Sequence, residues 1–111
     1  MKDLFDYLDG EDERCGFVLH DGTIVELENI HPEPTEGFEI DPEDILRYIN
    51  QIEAIWHTHP GAGSVLSGED KLCMEIWPHL KHIVVGVDGM SVYIVEQGVV
   101  LNEDYIPREA S

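Results

Sequence analysis

The sequence predicts a single α/β domain built on a mixed β-sheet with helices packed against it. The chain has 111 residues, close to the commonest size of one domain, and its 42% hydrophobic residues are enough for one core. Patterns typical of strands and of helices alternate irregularly along the chain. Two hairpin signals place antiparallel neighbours among them, so the sheet is not purely parallel. We therefore expect one domain over residues 1–111.

The N-terminal half contains two helical patterns separated by a hairpin. Apolar residues at helical spacing predict a short amphipathic helix over residues 2–8. The segment "RCGFVLHDGTIVELEN" predicts a hairpin whose Asp21-Gly22 turn is of type I′. In "FEIDPEDILRYI", Asp41 can cap a helix that has Pro42 at its first position. The apolar stripe expected to be buried in this helix consists of Ile45, Leu46 and Ile49.

The C-terminal half opens with "IEAIWH", which is typical of a short, nearly continuous apolar strand. A further helix is predicted from Ser67 to about Trp77, where Pro78 limits it. The segments "HIVVGV" and "SVYIVEQG" form a second hairpin through the turn Asp88-Gly89. The following "VVL" is expected to add an edge strand.

The charge balance is strongly acidic, with 6 basic against 24 acidic residues and a net charge of −18. Such a surface repels nucleic-acid backbones and anionic membranes, and it attracts a metal cation or a basic protein surface. No apolar stretch approaches the roughly 20 residues that a membrane span needs. We therefore expect no nucleic-acid and no membrane partner. An acidic face that serves only solubility remains an alternative to a specific basic partner.

The two cysteines, Cys15 and Cys73, lack the spacing of a zinc ribbon or a redox motif. Each has apolar neighbours, which favours two buried free thiols in a reducing compartment. This predicts a cytoplasmic location. A single disulfide between them is the alternative.

Two histidines, two residues apart, end the apolar run in "AIWHTHP". Because successive side chains on a strand point to opposite faces, His57 and His59 point the same way. Their α-carbons lie roughly 6.5 Å apart at about 3.3 Å per residue, and two imidazoles at that spacing can converge on one ion. The alternative is a pair of half-exposed histidines at a strand end.

Ser67 and Asp70 follow a glycine-containing loop and open the next helix. Ser-x-x-Asp is a variant of the capping box and needs no metal. Beside the histidine pair, however, Asp70 offers a third ligand. Two imidazoles and one carboxylate leave a fourth tetrahedral position for water, as in catalytic zinc sites.

A hydrolytic zinc site also needs a base that accepts a proton from water. Glu13 opens the strand "ERCGFVL", which could lie alongside the strand that ends in His57. Physical reasoning alone does not choose among the acids of this half. The other candidates are Glu11, Asp12, Glu26 and Glu53.

The stretch "HTHPGAGSVLSGED" resembles the JAMM motif of JAB/MPN-domain metalloproteases, which is His-Ser/Thr-His-Pro, a fixed gap and Ser-x-x-Asp. Seven residues separate His59 from Ser67, which is the spacing of that family. "ERCGFVL" resembles the upstream Glu-x-Cys-Gly segment of the family, and this match selects Glu13 as the motif glutamate. The resemblance extends over about residues 4–97.

The resemblance implies a fold similar to that of cytidine deaminases and a peptidase or isopeptidase activity. His57, His59 and Asp70 would hold Zn²⁺, and Glu13 would accept the proton of water and deliver it to the leaving amine. The hydroxyl of Ser67 would help to hold the oxyanion. Many members of the family cleave after the C-terminus of ubiquitin or a ubiquitin-like protein, which implies a protein or peptide substrate.

The chain looks like the compact prokaryotic and phage forms of this family. "NIHPEP" followed by "FEIDPEDILRYI" is similar to phage tail-assembly proteins that carry the domain. The alternative function is therefore a tail-assembly module, located in the phage virion tail, whose metal site is structural or weakly active. Deamination is a weaker alternative, because it would require a cysteine pair near the metal.

Overall fold

One parallel pair of strands lies among antiparallel neighbours in a six-stranded sheet. The computed structural model describes residues 3–108. The strands are β1 (Cys15–Leu19), β2 (Ile24–Leu27), β3 (Ile52–Thr58), β4 (Lys81–Val85), β5 (Gly89–Glu96) and β6 (Val99–Pro107). The helices are a 3₁₀ helix (Leu4–Tyr7), α1 (Pro42–Tyr48) and α2 (Gly68–Ile76).

The strand order is β2-β1-β3-β4-β5-β6, and only the neighbours β3 and β4 run parallel. Parallel strands need a crossover connection, and α2 supplies it. The predicted α/β class with a mixed sheet is therefore confirmed. The β3–α2–β4 unit also places the loop before α2 at the carboxyl end of β3, which is where ligands bind in many α/β sheets.

The central strand β3 is buried on both faces of the sheet. Ile55 packs with Phe17 and Ile45 on the face covered by α1, while Trp56 packs with Tyr7 on the opposite face, beneath the 3₁₀ helix. Trp56 is fully buried, and its Nε1–H donates to the Phe17 carbonyl at 3.1 Å. Because side chains alternate, His57 lies on the same face as Ile55.

Helix α1 begins as the sequence predicts, with Asp41 Oδ1 accepting the Glu43 N–H at 2.9 Å. Its predicted buried stripe is wrong in part. Ile45 is buried, but Leu46 is 70% exposed and Ile49 is 44% exposed. The helix has only seven residues, so it contacts the sheet through about one turn, and Ile49 already lies past its end.

The hairpin between β1 and β2 is confirmed, but its turn is not of type I′. That turn needs positive φ at two successive residues, and here only Gly22 has it, with φ +90°. The Gly22 N–H donates to the Leu19 carbonyl, and the Leu19 N–H donates to the Thr23 carbonyl, each at 2.9 Å. These bonds close a three-residue loop in which Gly22 takes the left-handed position.

Three smaller expectations also differ. The predicted helix over residues 2–8 is a single 3₁₀ turn, Leu4–Tyr7, and Lys2 lies outside the described residues. Its N-cap is Asp3, whose carboxylate accepts the Phe5 N–H at 2.7 Å. Gly89 is predicted as part of the turn after β4, but it is already the first residue of β5. The edge strand β6 is nine residues long rather than three.

Both cysteines are free thiols. Cys15 is fully buried and Cys73 is half-buried. Burial raises the pKa of the Cys15 thiol to about 12 and that of Cys73 to about 11. Both thiols are therefore protonated and weakly nucleophilic at neutral pH. Across residues 3–108, no helix is long and apolar enough to cross a membrane.

Candidate metal centre

The pairing of β1 with β3 brings Glu13 to the histidine pair. The Arg14 N–H donates to Thr58 Oγ1 at 2.9 Å, and the Thr58 N–H donates to the Arg14 carbonyl at 2.8 Å. These two bonds fix the start of β1 beside the end of β3. The carboxylate of Glu13 is consequently buried, and the ligand atoms of Glu13, His57 and His59 all lie within 4.8 Å of one another.

The two imidazoles converge, as the strand periodicity predicts. The Nε2 atoms of His57 and His59 are 3.0 Å apart. His57 is 3% exposed and stacks on Phe38, with ring centroids 4.3 Å apart and planes inclined by 20°. His59 Nδ1 lies 2.9 Å from the Gly63 carbonyl. Because a carbonyl can only accept, Nδ1 is the donor in this contact, and Nε2 is the nitrogen that faces His57 and Asp70.

Asp70 serves as both a helix cap partner and a neighbour of the histidines. Its Oδ1 lies 3.0 Å from His57 Nε2, and its Oδ2 lies 3.2 Å from His59 Nε2. The Ser67 N–H donates to Asp70 Oδ2 at 2.9 Å, and the Asp70 N–H donates to Ser67 Oγ at 3.2 Å. The capping box therefore holds the Asp70 carboxylate in the orientation that faces both rings.

The donor atoms fit a divalent cation. Three ligands of a tetrahedral ion with bonds of about 2.0–2.1 Å lie about 3.3 Å from one another. The observed separations between Nε2 and Oδ atoms of His57, His59 and Asp70 are 3.0, 3.0 and 3.2 Å. Two imidazoles and a carboxylate form a ligand set found in zinc sites. The group formed by Glu13, His57 and His59 could likewise bind a metal ion.

The electrostatics of the site keep Asp70 ionised. Burial alone would raise the pKa of Asp70, but hydrogen bonds with His57 and His59 outweigh it and hold this pKa far below its usual range. Burial lowers the pKa of His57, which is therefore neutral. Burial also opposes the protonation of His59, but its bonds to Asp70 and to the Gly63 carbonyl raise its pKa. A cation held at His59 Nε2 would take the place of the proton on that nitrogen.

The other candidate bases are exposed or bound by another residue. Glu26 accepts a hydrogen bond from Arg14 Nε at 2.6 Å. The side chains of Glu11, Asp12 and Glu53 are exposed. Among the five acids named from the sequence, Glu13 is the one whose carboxylate lies with His57 and His59. Ser67 is exposed, and its Oγ accepts the Asp70 N–H.

Two contributors to the site were missed by the sequence reasoning. Phe38 lies in the loop before α1 and forms the stacked wall of His57. Phe38 and His57 are 19 residues apart, and no motif or periodicity in the sequence links the two positions. The second is the Gly63 carbonyl. Because every residue has a backbone carbonyl, the residue type at this position does not indicate the role of the group.

An open groove lies beside the loop that precedes α2. Its volume is about 620 Å³. Val65 and Leu66 line one side, Lys71 of α2 lies next to them, and Tyr93 and Val99 of the β5–β6 hairpin form the other side. Val65 is 76% exposed there. The loop is therefore available to contact another molecule.

No protein-family model matches the chain. A curated protein of Thermus thermophilus, named a probable TtuB-protein conjugate cleaving protease, is 26% identical over 82 residues. The match covers 68% of this chain and 54% of that protein, so the chain spans about half the length of the curated relative it matches. This similarity to a protease is distant, and it agrees with the JAMM-type resemblance of the motif.

The fold is shared with a solved structure. The solution structure of protein DSY2949 from Desulfitobacterium hafniense has a TM-score of 0.68 to this chain, at 22% sequence identity. The match covers 90% of this chain and 81% of that protein. At this identity the likeness concerns the α/β fold alone.

Proposed function

We propose that this chain is a zinc-dependent metalloprotease of the JAMM type that hydrolyses peptide or isopeptide bonds. The observation that carries the proposal is the buried carboxylate of Glu13 beside a convergent pair of histidines. A structural metal site needs no such additional base. The distant similarity to a conjugate-cleaving protease supports the same reaction class.

His57, His59 and Asp70 hold the zinc ion in this proposal. Zinc bound there supplies Lewis acidity and acidifies water. Glu13 accepts a proton from the attacking water and delivers it to the departing nitrogen, which an amide needs in order to leave. Ser67 Oγ already accepts the Asp70 N–H, so its own O–H remains to donate to the oxyanion.

The proposed substrate is a protein or peptide, with the cleaved bond at the C-terminus of a ubiquitin-like protein. The Thermus thermophilus relative is named for cleaving TtuB–protein conjugates, and this name motivates the choice. The acidic surface favours a substrate or partner that is basic, and it disfavours nucleic acid and anionic membrane. We propose that residues 1–111 act as one catalytic domain in the cytoplasm. None of the observations on residues 3–108 favours the alternative of a phage-tail assembly module.

The test combines elemental analysis of the purified protein with a cleavage panel. The panel contains ubiquitin-like proteins joined to a reporter by peptide bonds and by isopeptide bonds. We expect about one zinc per chain, and cleavage that a chelator stops and added zinc restores. A zinc content near zero after metal-replete, chelator-free purification contradicts the proposal. One zinc without cleavage of any conjugate favours a structural site.

A separate prediction concerns the loop Pro60–Leu66. Replacement of Gly61 is a poor probe of this loop, because Gly61 has φ +71° and any side chain there is strained. Val65 is a better probe, because it is exposed and lines the groove. Val65→Asp should raise KM about tenfold, since loss of an apolar contact of about 1.4 kcal/mol corresponds to that factor.

The matched control is Leu46→Asp on α1, because Leu46 is 70% exposed and does not line the groove. Both variants should bind as much zinc as the wild type and should unfold at similar temperatures. Equal KM values for the two variants would show that the loop is only a connecting turn and does not contact the substrate.

A further inference from the structure

The loop that leads from the histidines to α2 is tied to the turn after β4. Asp88 lies in that turn, and its Oδ1 accepts the Ser64 N–H at 2.8 Å. Its Oδ2 accepts the Ser64 hydroxyl at 3.0 Å and the Tyr105 hydroxyl at 3.1 Å. One carboxylate therefore connects the loop, the turn and strand β6.

Ser64 is held on every side. It is 1% exposed, its Oγ lies 2.8 Å from Ser91 Oγ, and its carbonyl accepts the Tyr93 hydroxyl at 3.1 Å. A buried serine with this many partners has one position available to it. The backbone of the loop is fixed with it, because the Val87 N–H donates to the Ala62 carbonyl at 2.9 Å.

Gly86 permits the close approach of the turn to the loop. A Cβ atom at this position would lie 2.4 Å from the Ser64 nitrogen and 2.5 Å from the Gly63 carbonyl carbon. Both are backbone atoms, so a side chain at residue 86 would force the loop away. The turn and the loop are thus in direct backbone contact at Gly63, the residue whose carbonyl accepts from His59 Nδ1.

We propose that Asp88 is a positioning residue for His59. Asp88 holds Ser64, which fixes the adjoining Gly63 carbonyl, and that carbonyl sets the ring orientation of His59 and the nitrogen that faces the cation. Partial desolvation raises the pKa of Asp88, but its hydrogen bonds with Ser64 hold this pKa below the ordinary value, so the carboxylate is ionised at neutral pH. The presence of a bound cation in this inference rests on the proposed function. The orientation of the His59 ring is independent of that function.

The expected effect on zinc affinity follows from the way outer partners act on metal-ligating histidines. Loss of such a partner typically weakens metal binding 10–100-fold. Asp88 acts through one intervening peptide unit, so Asp88→Ala should raise the Kd for zinc by about tenfold, the lower end of that range. Asp88→Asn keeps one carbonyl oxygen for the Ser64 N–H, so its Kd should lie between those of the wild type and Asp88→Ala.

The matched control is Asp21→Ala. Asp21 also accepts a backbone N–H in a turn, from Thr23 at 2.9 Å. Its turn follows Leu19, which pairs with Ile52 at the opposite end of β3 from His57. This variant loses a comparable turn bond, and it should keep the zinc affinity of the wild type.

The experiment uses the full chain and two measurements. Zinc affinity is measured by competition with a chromophoric chelator. The tautomer of His59 is measured by ¹⁵N-edited NMR of the metal-free protein at an alkaline pH, where the ring is neutral. The wild type should show a proton on Nδ1, and Asp88→Ala should shift the ring towards the other tautomer.

Equal zinc affinities of Asp88→Ala and Asp21→Ala, with the Nδ1 proton retained in both, would overturn this inference while leaving the proposed function intact. If the wild type binds no zinc, the proposed function fails, and the NMR measurement alone decides the role of Asp88.

If Asp88→Ala does not fold, Ser64→Ala replaces it. That variant keeps the backbone bond to Asp88 and should change both measurements in the same direction by a smaller amount.

Discussion

Asp70→Asn is expected to abolish stoichiometric zinc binding while the protein stays folded. The Asp70 carboxylate faces the Nε2 atoms of both His57 and His59, so it contributes a charge to the donor set as well as an oxygen. Asparagine keeps an oxygen that can accept the Ser67 N–H, and the helix cap is preserved. The loss can therefore be assigned to the metal site. Zinc per chain, measured after exchange into metal-buffered solution, checks the result.

His57→Ala is expected to abolish zinc binding in the same way. This variant also removes a buried ring that stacks on Phe38, so it should lower the free energy of unfolding by about 1–3 kcal/mol. Folding should survive in part without metal, because the core of a 111-residue domain does not depend on zinc as a zinc finger does. The control is His79→Ala. His79 is exposed, and its replacement should leave the zinc content per chain unchanged.

Retention of one zinc at wild-type affinity by Asp70→Asn would contradict the assignment of ligands. Glu13 would then be the candidate for the third ligand, because its carboxylate also lies within 4.8 Å of the histidine donor atoms. The double variant would distinguish the two carboxylates. Loss of zinc only when both are replaced means that either one can complete the site.

The local parts of the site could be predicted from the sequence because each depends on short-range periodicity. Side-chain alternation along a strand places His57 and His59 on one face, and their Nε2 atoms indeed lie 3.0 Å apart. The Ser-x-x-Asp spacing predicts a capping box, and the structure has one. Hairpin signals beside helical patterns predicted the mixed sheet for the same reason.

The parts that depend on tertiary contacts could not be predicted in this way. Physical reasoning left five acids as candidate bases, because the alignment of β1 with β3 depends on pairing Arg14 with Thr58 across 44 residues. Only the resemblance to a family motif selected Glu13. The exposure of Leu46 was missed because helical spacing does not say how much of a short helix touches the sheet.

Glu13→Gln is the variant that separates a catalyst from a scaffold. Glutamine keeps the shape and most of the hydrogen bonding of the side chain, but it cannot accept a proton from water. General acid–base groups typically contribute about 10²–10⁴-fold, so kcat should fall by at least about 10²-fold. The variant should still bind one zinc and should unfold near the wild-type temperature. Steady-state kinetics on the conjugate found in the cleavage panel measures the effect.

Glu53→Gln is the matched control, because Glu53 lies on β3 with its side chain exposed. It removes one negative charge from the same strand that carries His57, and its kcat should equal that of the wild type. A comparable fall in both variants would point to the net charge of the surface rather than to proton transfer.

Two other results for Glu13→Gln would change the assignment of roles. Loss of zinc would make Glu13 a ligand, which its position within 4.8 Å of the histidine donor atoms permits. Cleavage as fast as in the wild type would place the base elsewhere. Glu11 and Asp12 are then the next residues to replace, because they precede β1 at the end that pairs with His57, whereas Glu26 is held by Arg14.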